Sequence, residues 1–115
     1  RLWTSAGTLL GSVTFANESL SGWQEAIFPT PIPVTANTVY VVSYFSPQGH
    51  YANDNNSFAP GGVNSNPLFA LGNSEAGGDP FGNGVYLISP QGGFPVFSNF
   101  ASNYWVDVIF VPVQL

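Results

Sequence analysis

Between Thr38 and Tyr51 the chain reads Thr-Val-Tyr-Val-Val-Ser-Tyr-Phe-Ser-Pro-Gln-Gly-His-Tyr, and no other stretch limits the fold so tightly. Tyr40, Val42 and Tyr44 fall on one side of an extended chain, and Val39, Val41 and Phe45 fall on the other. β-Branched and aromatic residues on both sides predict a strand covered on both faces. Thr35-Ala36-Asn37 marks its start. Ser46-Pro47-Gln48-Gly49 marks its stop, because proline fixes φ and glycine supplies a free one. His50, Tyr51, Asn53, Asp54, Asn55, Asn56 and Phe58 leave the strand end together, so the functional end of the molecule is expected there.

Other segments share the period of two. Thr8 to Phe15 alternates, with Leu9, Gly11, Val13 and Phe15 opposite Leu10, Ser12 and Thr14, and Ala6-Gly7 turns the chain into it. Leu2 to Thr4 is too short to assign on its own. Trp23 to Phe28 reads as a strand with two candidate inner faces: Trp23 and Ile27 with Glu25, or Ala26 and Phe28 with Gln24. Pro29, Pro31 and Pro33 then mark an edge or a crossover, since proline donates no ladder hydrogen bond. From Ala52 to Gly84 turn formers dominate around one apolar piece, Pro67 to Leu71, and a loop region of this length points to function. Gly82-Asn83-Gly84 turns into Val85 to Ile88, and Ser89-Pro90-Gln91-Gly92 repeats the chemistry of Ser46 to Gly49. In Asn103 to Val111, Tyr104, Val106, Val108 and Phe110 face one way and Trp105, Asp107, Ile109 and Val111 the other. No window carries a helical period with caps. The expected fold is all-β, a single domain over residues 1–115 built as an antiparallel β-sandwich of jelly-roll or immunoglobulin-like type.

Charge decides which partners are open to such a domain. Only 6% of residues are charged, against about 25% in ordinary domains, with one Lys or Arg in all and a net charge of −5. Nucleic acid and anionic membranes need a basic footprint that this chain lacks. No apolar run is long enough for a membrane-spanning helix. With no cysteine there is neither a disulfide nor a thiolate metal site, which suits a bacterial exported protein.

The succession Leu2-Trp3-Thr4-Ser5, Gly7-Thr8-Leu9-Leu10, Phe15-Ala16-Asn17-Glu18, Gly22-Trp23-Gln24, Pro33-Val34, Thr38 to Tyr44, Gly49-His50-Tyr51, Asn83-Gly84-Val85-Tyr86 and Asn103 to Val108 carries a resemblance across nearly the whole chain. It resembles the bacterial secreted β-sandwich module of the domain-of-unknown-function family 4082, found in large secreted proteins beside immunoglobulin-like repeats and carbohydrate-active modules. The resemblance implies secretion to the cell exterior and a non-catalytic accessory role. It brings no catalytic or ligand-binding residues. Members of that family carry further β-strands ahead of the Leu2-Trp3-Thr4 position. The chain is therefore expected to be a fragment of a larger secreted protein, its missing strands supplied by another copy, by a second chain or by rearrangement.

Catalysis is not expected. His50 is the sole histidine, lysine and cysteine are absent, and no spacing selects a carboxylate pair among Asp54, Glu75, Asp79 and Asp107. Calcium is the one ion the residues suit, with Asp54 and Asp79 as candidate metal ligands on loops rich in oxygen donors. Sugar binding suits the composition better. An uncharged polysaccharide or surface glycan is held by aromatic rings against its C–H faces and by amides and carboxylates on its hydroxyls. His50, Tyr51, Asn53, Asp54, Asn56 and Phe58 from the loop, with Trp105 and Asp107 from the last strand, supply both kinds of group. Trp3 and Trp23 are reserves, although core packing is the commoner use of tryptophan. The competing expectation is a self-assembling fibre, surface-layer or adhesin-stalk subunit built by strand complementation.

Overall fold

The computed structural model describes residues 1–77 and 82–113, which belong to two compact units, Arg1–Ser43 and Tyr44–Leu115. Among the described residues there is no helix, hence none able to cross a membrane, and every strand pair is antiparallel. The chain is all-β, and its sheets are small and open.

In the first unit the shortest of the apolar segments takes the centre. β1 (Leu2–Thr4) lies between β2 (Leu9–Gly11) and β3 (Tyr40–Val42), giving the order β2-β1-β3. Leu2 faces Val42 and Trp3 faces Val41 on one side. On the other, Leu2 pairs with Gly11 and Trp3 with Leu9, so Leu10 is bulged out of the ladder. Trp3 explains why three residues suffice. Only 7% of it is exposed, and its indole Nε1 donates to Ser43 Oγ at 2.9 Å, so the ring is buried without losing its polar partner. The Thr4-to-Gly7 turn joins β1 to β2, with Gly7 N donating to Thr4 O at 3.0 Å and Thr8 N to Thr4 Oγ1 at 3.1 Å.

The long strand expected from Thr38 to Phe45 is thus corrected to a three-residue edge strand, β3, half-buried along its length. Thr8 to Phe15 likewise shrinks to β2. Trp23 to Phe28 forms no ladder, yet its inner face is settled: Gln24, Ala26 and Phe28 are half-buried, and Trp23, Glu25 and Ile27 are exposed. Gln24 belongs inside because its amide organises the preceding loop, Nε2 donating to Ser19 Oγ at 2.8 Å and Oε1 accepting from Ser19 N at 2.9 Å. Pro29, Pro31 and Pro33 are exposed, and Ile32 between them turns inward to occupy the space a side chain at Gly11 would need.

The second unit holds two hairpin-like pairs. β4 (Val63–Ser65) pairs with β5 (Leu68–Ala70) around Asn66-Pro67, and β6 (Val85–Tyr86) pairs with β7 (Phe97–Ser98). The two Ser-Pro-Gln-Gly exits form the same turn, Gly49 N donating to Ser46 O at 3.0 Å and Gly92 N to Ser89 O at 3.4 Å. Each closes on a glycine with positive φ, the residue favoured at the fourth position of such turns. The strand expected from Asn103 to Val111 is corrected to a single bridge at Asn103, opposite Asp54. Its alternation survives as burial only as far as Ile109: Tyr104, Val106 and Val108 are half-buried and Trp105, Asp107 and Ile109 are exposed, but Phe110, expected on the inner face, is exposed. The period of two predicted which side chains turn inward, and without a neighbouring strand it could not make a ladder.

Three substitutions test these anchors. Trp3→Ala should lower unfolding free energy by about 3 kcal/mol, and Trp3→Phe, which keeps the packing and loses the Ser43 bond, by about 1 kcal/mol. Urea titration followed by circular dichroism measures both, and near-equal losses would mean that the indole hydrogen bond, not the ring, is the anchor. In the second unit Gly84 is buried with φ of 81°, and a Cβ there would lie 2.6 Å from Ser102 N and overlap Ser102 O. Gly84→Ala should therefore cost more than about 1 kcal/mol in the same titration, and a neutral result would show that the two segments can separate freely.

Candidate functional site

The polar excursion after Gly49 is fastened to the chain near residue 103 by main-chain bonds. Asp54 N donates to Asn103 O at 3.0 Å and Asn103 N to Asp54 O at 2.9 Å; Asn56 N then reaches Phe100 O at 2.7 Å and Phe58 N reaches Ala101 O at 3.0 Å. Turn formers in both segments make this pairing accessible, because Asn and Asp tolerate the left-handed and bent conformations it demands. Asn56 sits at φ of 63°. Backbone fixed in this way leaves the side chains free for other work.

Three of those side chains meet. Asn103 Oδ1 accepts from Trp105 N at 2.8 Å, holding Trp105 at φ of 55°, a conformation that bulky residues rarely adopt. From that position the indole Nε1 donates to Asp54 Oδ2 at 2.9 Å. A carboxylate acceptor makes this a charge-assisted bond, stronger than its neutral counterpart. Asp54, Asn103 and Trp105 form a closed ring of hydrogen bonds in which the Trp105 ring keeps 47% of its surface exposed. Tyr51 is 63% exposed and meets Tyr104 edge-on, ring centres 5.8 Å apart, and Tyr104 is 6.4 Å from Tyr86. Tyr86 in turn lies 5.9 Å from Phe97 across the β6–β7 pair, so the aromatic row is anchored in a sheet.

Beneath the surface Ser102 is 1% exposed, its hydroxyl 3.0 Å from both Asn55 Oδ1 and Asn99 O. Asn53 Nδ2 also donates to Asn55 Oδ1 at 2.9 Å. Asn55 therefore links the exposed loop to the buried serine. Burial pushes the phenols of Tyr44 and Tyr104 above their ordinary value near 10, the neighbouring Tyr51 phenol adding to the effect in both.

Of the residues expected to bind ligand, the structure joins Tyr51, Asn53, Asp54 and Trp105 to this one assembly. Asn56 and Phe58 help fasten it through their backbone, and Phe58 is half-buried. His50 is exposed and its N–H donates to Ser46 Oγ at 3.1 Å, while Asp107 turns Oδ1 onto the Val108 amide at 2.8 Å. Among the described residues no three of His, Asp and Glu gather as a metal-holding group, and Asp79, the second expected calcium ligand, lies outside the described residues. Trp3 is core, and Trp23 is exposed in the first unit. Asn103, Tyr104 and Ser102 were not expected in the site. The signal for Asn103 was its place at the end of Ser98-Asn99-Phe100-Ala101-Ser102-Asn103, a turn-forming run of the same character as Asn53 to Asn56.

Residues 1–106 match the family model described as Domain of unknown function (DUF4082). The chain belongs to this family. No curated protein and no solved structure matched it. Every residue of the Tyr51, Asp54, Asn103 and Trp105 assembly lies inside the DUF4082 match, and Asp107 lies beyond it.

The raised phenols of the DUF4082 domain give a pH dependence of definite sign. In the folded state Tyr44 and Tyr104 hold their protons to higher pH than in the unfolded chain. The associated stability is complete below the unfolded value near 10 and is lost as pH rises through it toward the folded values. The urea midpoint should fall between about pH 9 and about pH 11, and the Tyr44→Phe, Tyr104→Phe double variant should fall less. An equal decline in both proteins would assign the effect to other groups.

Proposed function

We propose that this DUF4082 domain is a non-catalytic accessory module of a bacterial extracellular protein, and that it binds a neutral polysaccharide or surface glycan. Its small antiparallel sheets are read as parts of a β-sandwich, with the Tyr51 to Asp54 loop and Trp105 at the binding face. The observation that carries this reading is the 2.9 Å bond from Trp105 Nε1 to Asp54 Oδ2, with both rings, Trp105 and Tyr51, exposed. A sugar presents C–H faces that pack on such rings and hydroxyls that donate to a carboxylate and exchange bonds with amides. Holding the indole against the carboxylate orders both groups before the ligand arrives, which lowers the entropic cost of binding. The near absence of cationic side chains fits a ligand that needs no electrostatic steering.

One further observation favours a second reading. β2 is outermost in its sheet, and Leu9 and Leu10 are exposed there. An edge of that kind accepts a strand from another copy or another chain, as in an assembly subunit.

Retention on insoluble cellulose, chitin and xylan, with a concentration series on a sizing column, separates the two. The binding reading expects a discrete species retained on at least one polymer. It also expects Trp105→Ala or Tyr51→Ala to weaken retention about ten-fold, equivalent to about 1.4 kcal/mol. Retention indifferent to both substitutions would sink it. Large, concentration-dependent species without retention would establish the assembly subunit instead.

A further inference from the structure

Asn56, Asn73, Ser98, Asn99, Phe100 and Ala101 enclose a half-open cleft of about 380 Å³. No charged side chain lines it, and none of Tyr51, Asp54 or Trp105 does so either. Its size lies toward the small end of the range of about 300–1,000 Å³ typical of ligand pockets. Two lining residues hold left-handed backbone conformations that such residue types avoid, Phe100 at φ of 55° and Ala101 at 43°, and Asn56, which tolerates it, shares the conformation at 63°. Two such residues in succession, Phe100 and Ala101, persist because Asn56 N and Phe58 N bond their carbonyls at 2.7 and 3.0 Å. Strain concentrated on the wall of a cavity is the pattern of a shaped site rather than of a packing gap. Phe100 is 62% exposed. Among the described residues no hydrogen bond engages the carboxamides of Asn56 and Asn99.

We propose that this cleft is a second binding site, one that takes a single neutral sugar unit such as a chain end or a branch. The carboxamides each offer two donors and an acceptor, matching hydroxyls that both donate and accept. Phe100 supplies the apolar surface for one face of the ring. Phosphorylated, carboxylated or cationic ligands find no counter-charge here, and the net charge of −5 repels the anionic ones. The proposal goes beyond the binding face at Tyr51, Asp54 and Trp105, and rests on that reading only in taking the same class of ligand.

Titration of the ¹⁵N-labelled domain with glucose, xylose and N-acetylglucosamine, each alone, tests it. Saturable shifts are expected for the Asn56 and Asn99 side-chain amides and the Phe100 amide with at least one sugar. Asn99→Ala should weaken that binding roughly five-fold or more. Asn56→Gly, which keeps the left-handed backbone, should do the same. Shifts confined to Tyr51 and Trp105 would overturn the cleft and leave the first site standing. Cleft shifts in a domain that no polymer retains would support the cleft and remove the first site. Cleft shifts insensitive to both asparagine substitutions, or no shift with any of the three sugars, would also overturn the proposal.

Discussion

The paired main-chain bonds between Asp54 and Asn103 are the constraint on which the second unit's surface depends. Forty-nine residues separate the partners in sequence, so closing that loop is entropically costly and must be offset by what it brings together. Asn103 offsets it locally by accepting from Trp105 N, and Trp105 completes the circuit by donating to Asp54. Behind the bridge, buried Ser102 reaches Asn55, and Gly84 lies against the Ser102 backbone where no side chain would fit. Removing any of these links would release a loop with few apolar contacts of its own. The site is therefore built from backbone and amides first, and its aromatic rings are mounted on that frame.

Main-chain bridging also explains why so little regular sheet supports the arrangement. A two-stranded pair such as β6–β7 is marginal alone. Here its cross-strand partners Tyr86 and Phe97 begin an aromatic row that continues through Tyr104 to Tyr51. Edge-on and tilted ring contacts each add about 0.5–1.5 kcal/mol beyond simple burial. The row thus connects a short sheet to an exposed loop without a longer ladder. It also accounts for the raised Tyr104 phenol, which loses water where its ring packs between Tyr51 and Tyr86.

Side-chain direction was far more legible in the sequence than hydrogen-bonded strands were. Trp23 to Phe28 alternates as read, although the sequence left open which of its two faces turns inward, and Tyr104 to Ile109 alternates as well, because the period of two is a property of local chain geometry and needs no partner. Ladders need a neighbour, and pairing is decided between segments distant in sequence. The central place of Leu2–Thr4 was hidden for that reason: three residues carry no period, and only the Trp3 bond to Ser43 shows what holds them. The candidate site was partly visible, since Tyr51, Asn53 and Asp54 cluster within four positions and mix aromatic with hydrogen-bonding groups. The left-handed backbone at Phe100, Ala101 and Trp105 was not, because those residue types disfavour it and tertiary bonds impose it.

That imposed geometry separates two kinds of surface with different chemical consequences. At Trp105 the indole occupies Asp54 Oδ2 and leaves Oδ1, which accepts from no described residue, so one carboxylate can fix a ring and still receive a hydroxyl. At the cleft there is no carboxylate, and on the proposed reading recognition would fall to carboxamides that donate as readily as they accept. An open aromatic face with one anion discriminates weakly along a repeating chain, because every unit offers similar C–H surface and some hydroxyl to bond. A half-open cleft discriminates by size and by the pattern of hydroxyls, because an amide that a ligand covers and leaves unpaired costs about 1–3 kcal/mol. Affinity for a neutral polymer would then reside on the open face and selectivity in the cleft. The Asp54–Asn103 bridge holds both in one register because the segments it joins, residues 54–58 and 100–105, contribute to each.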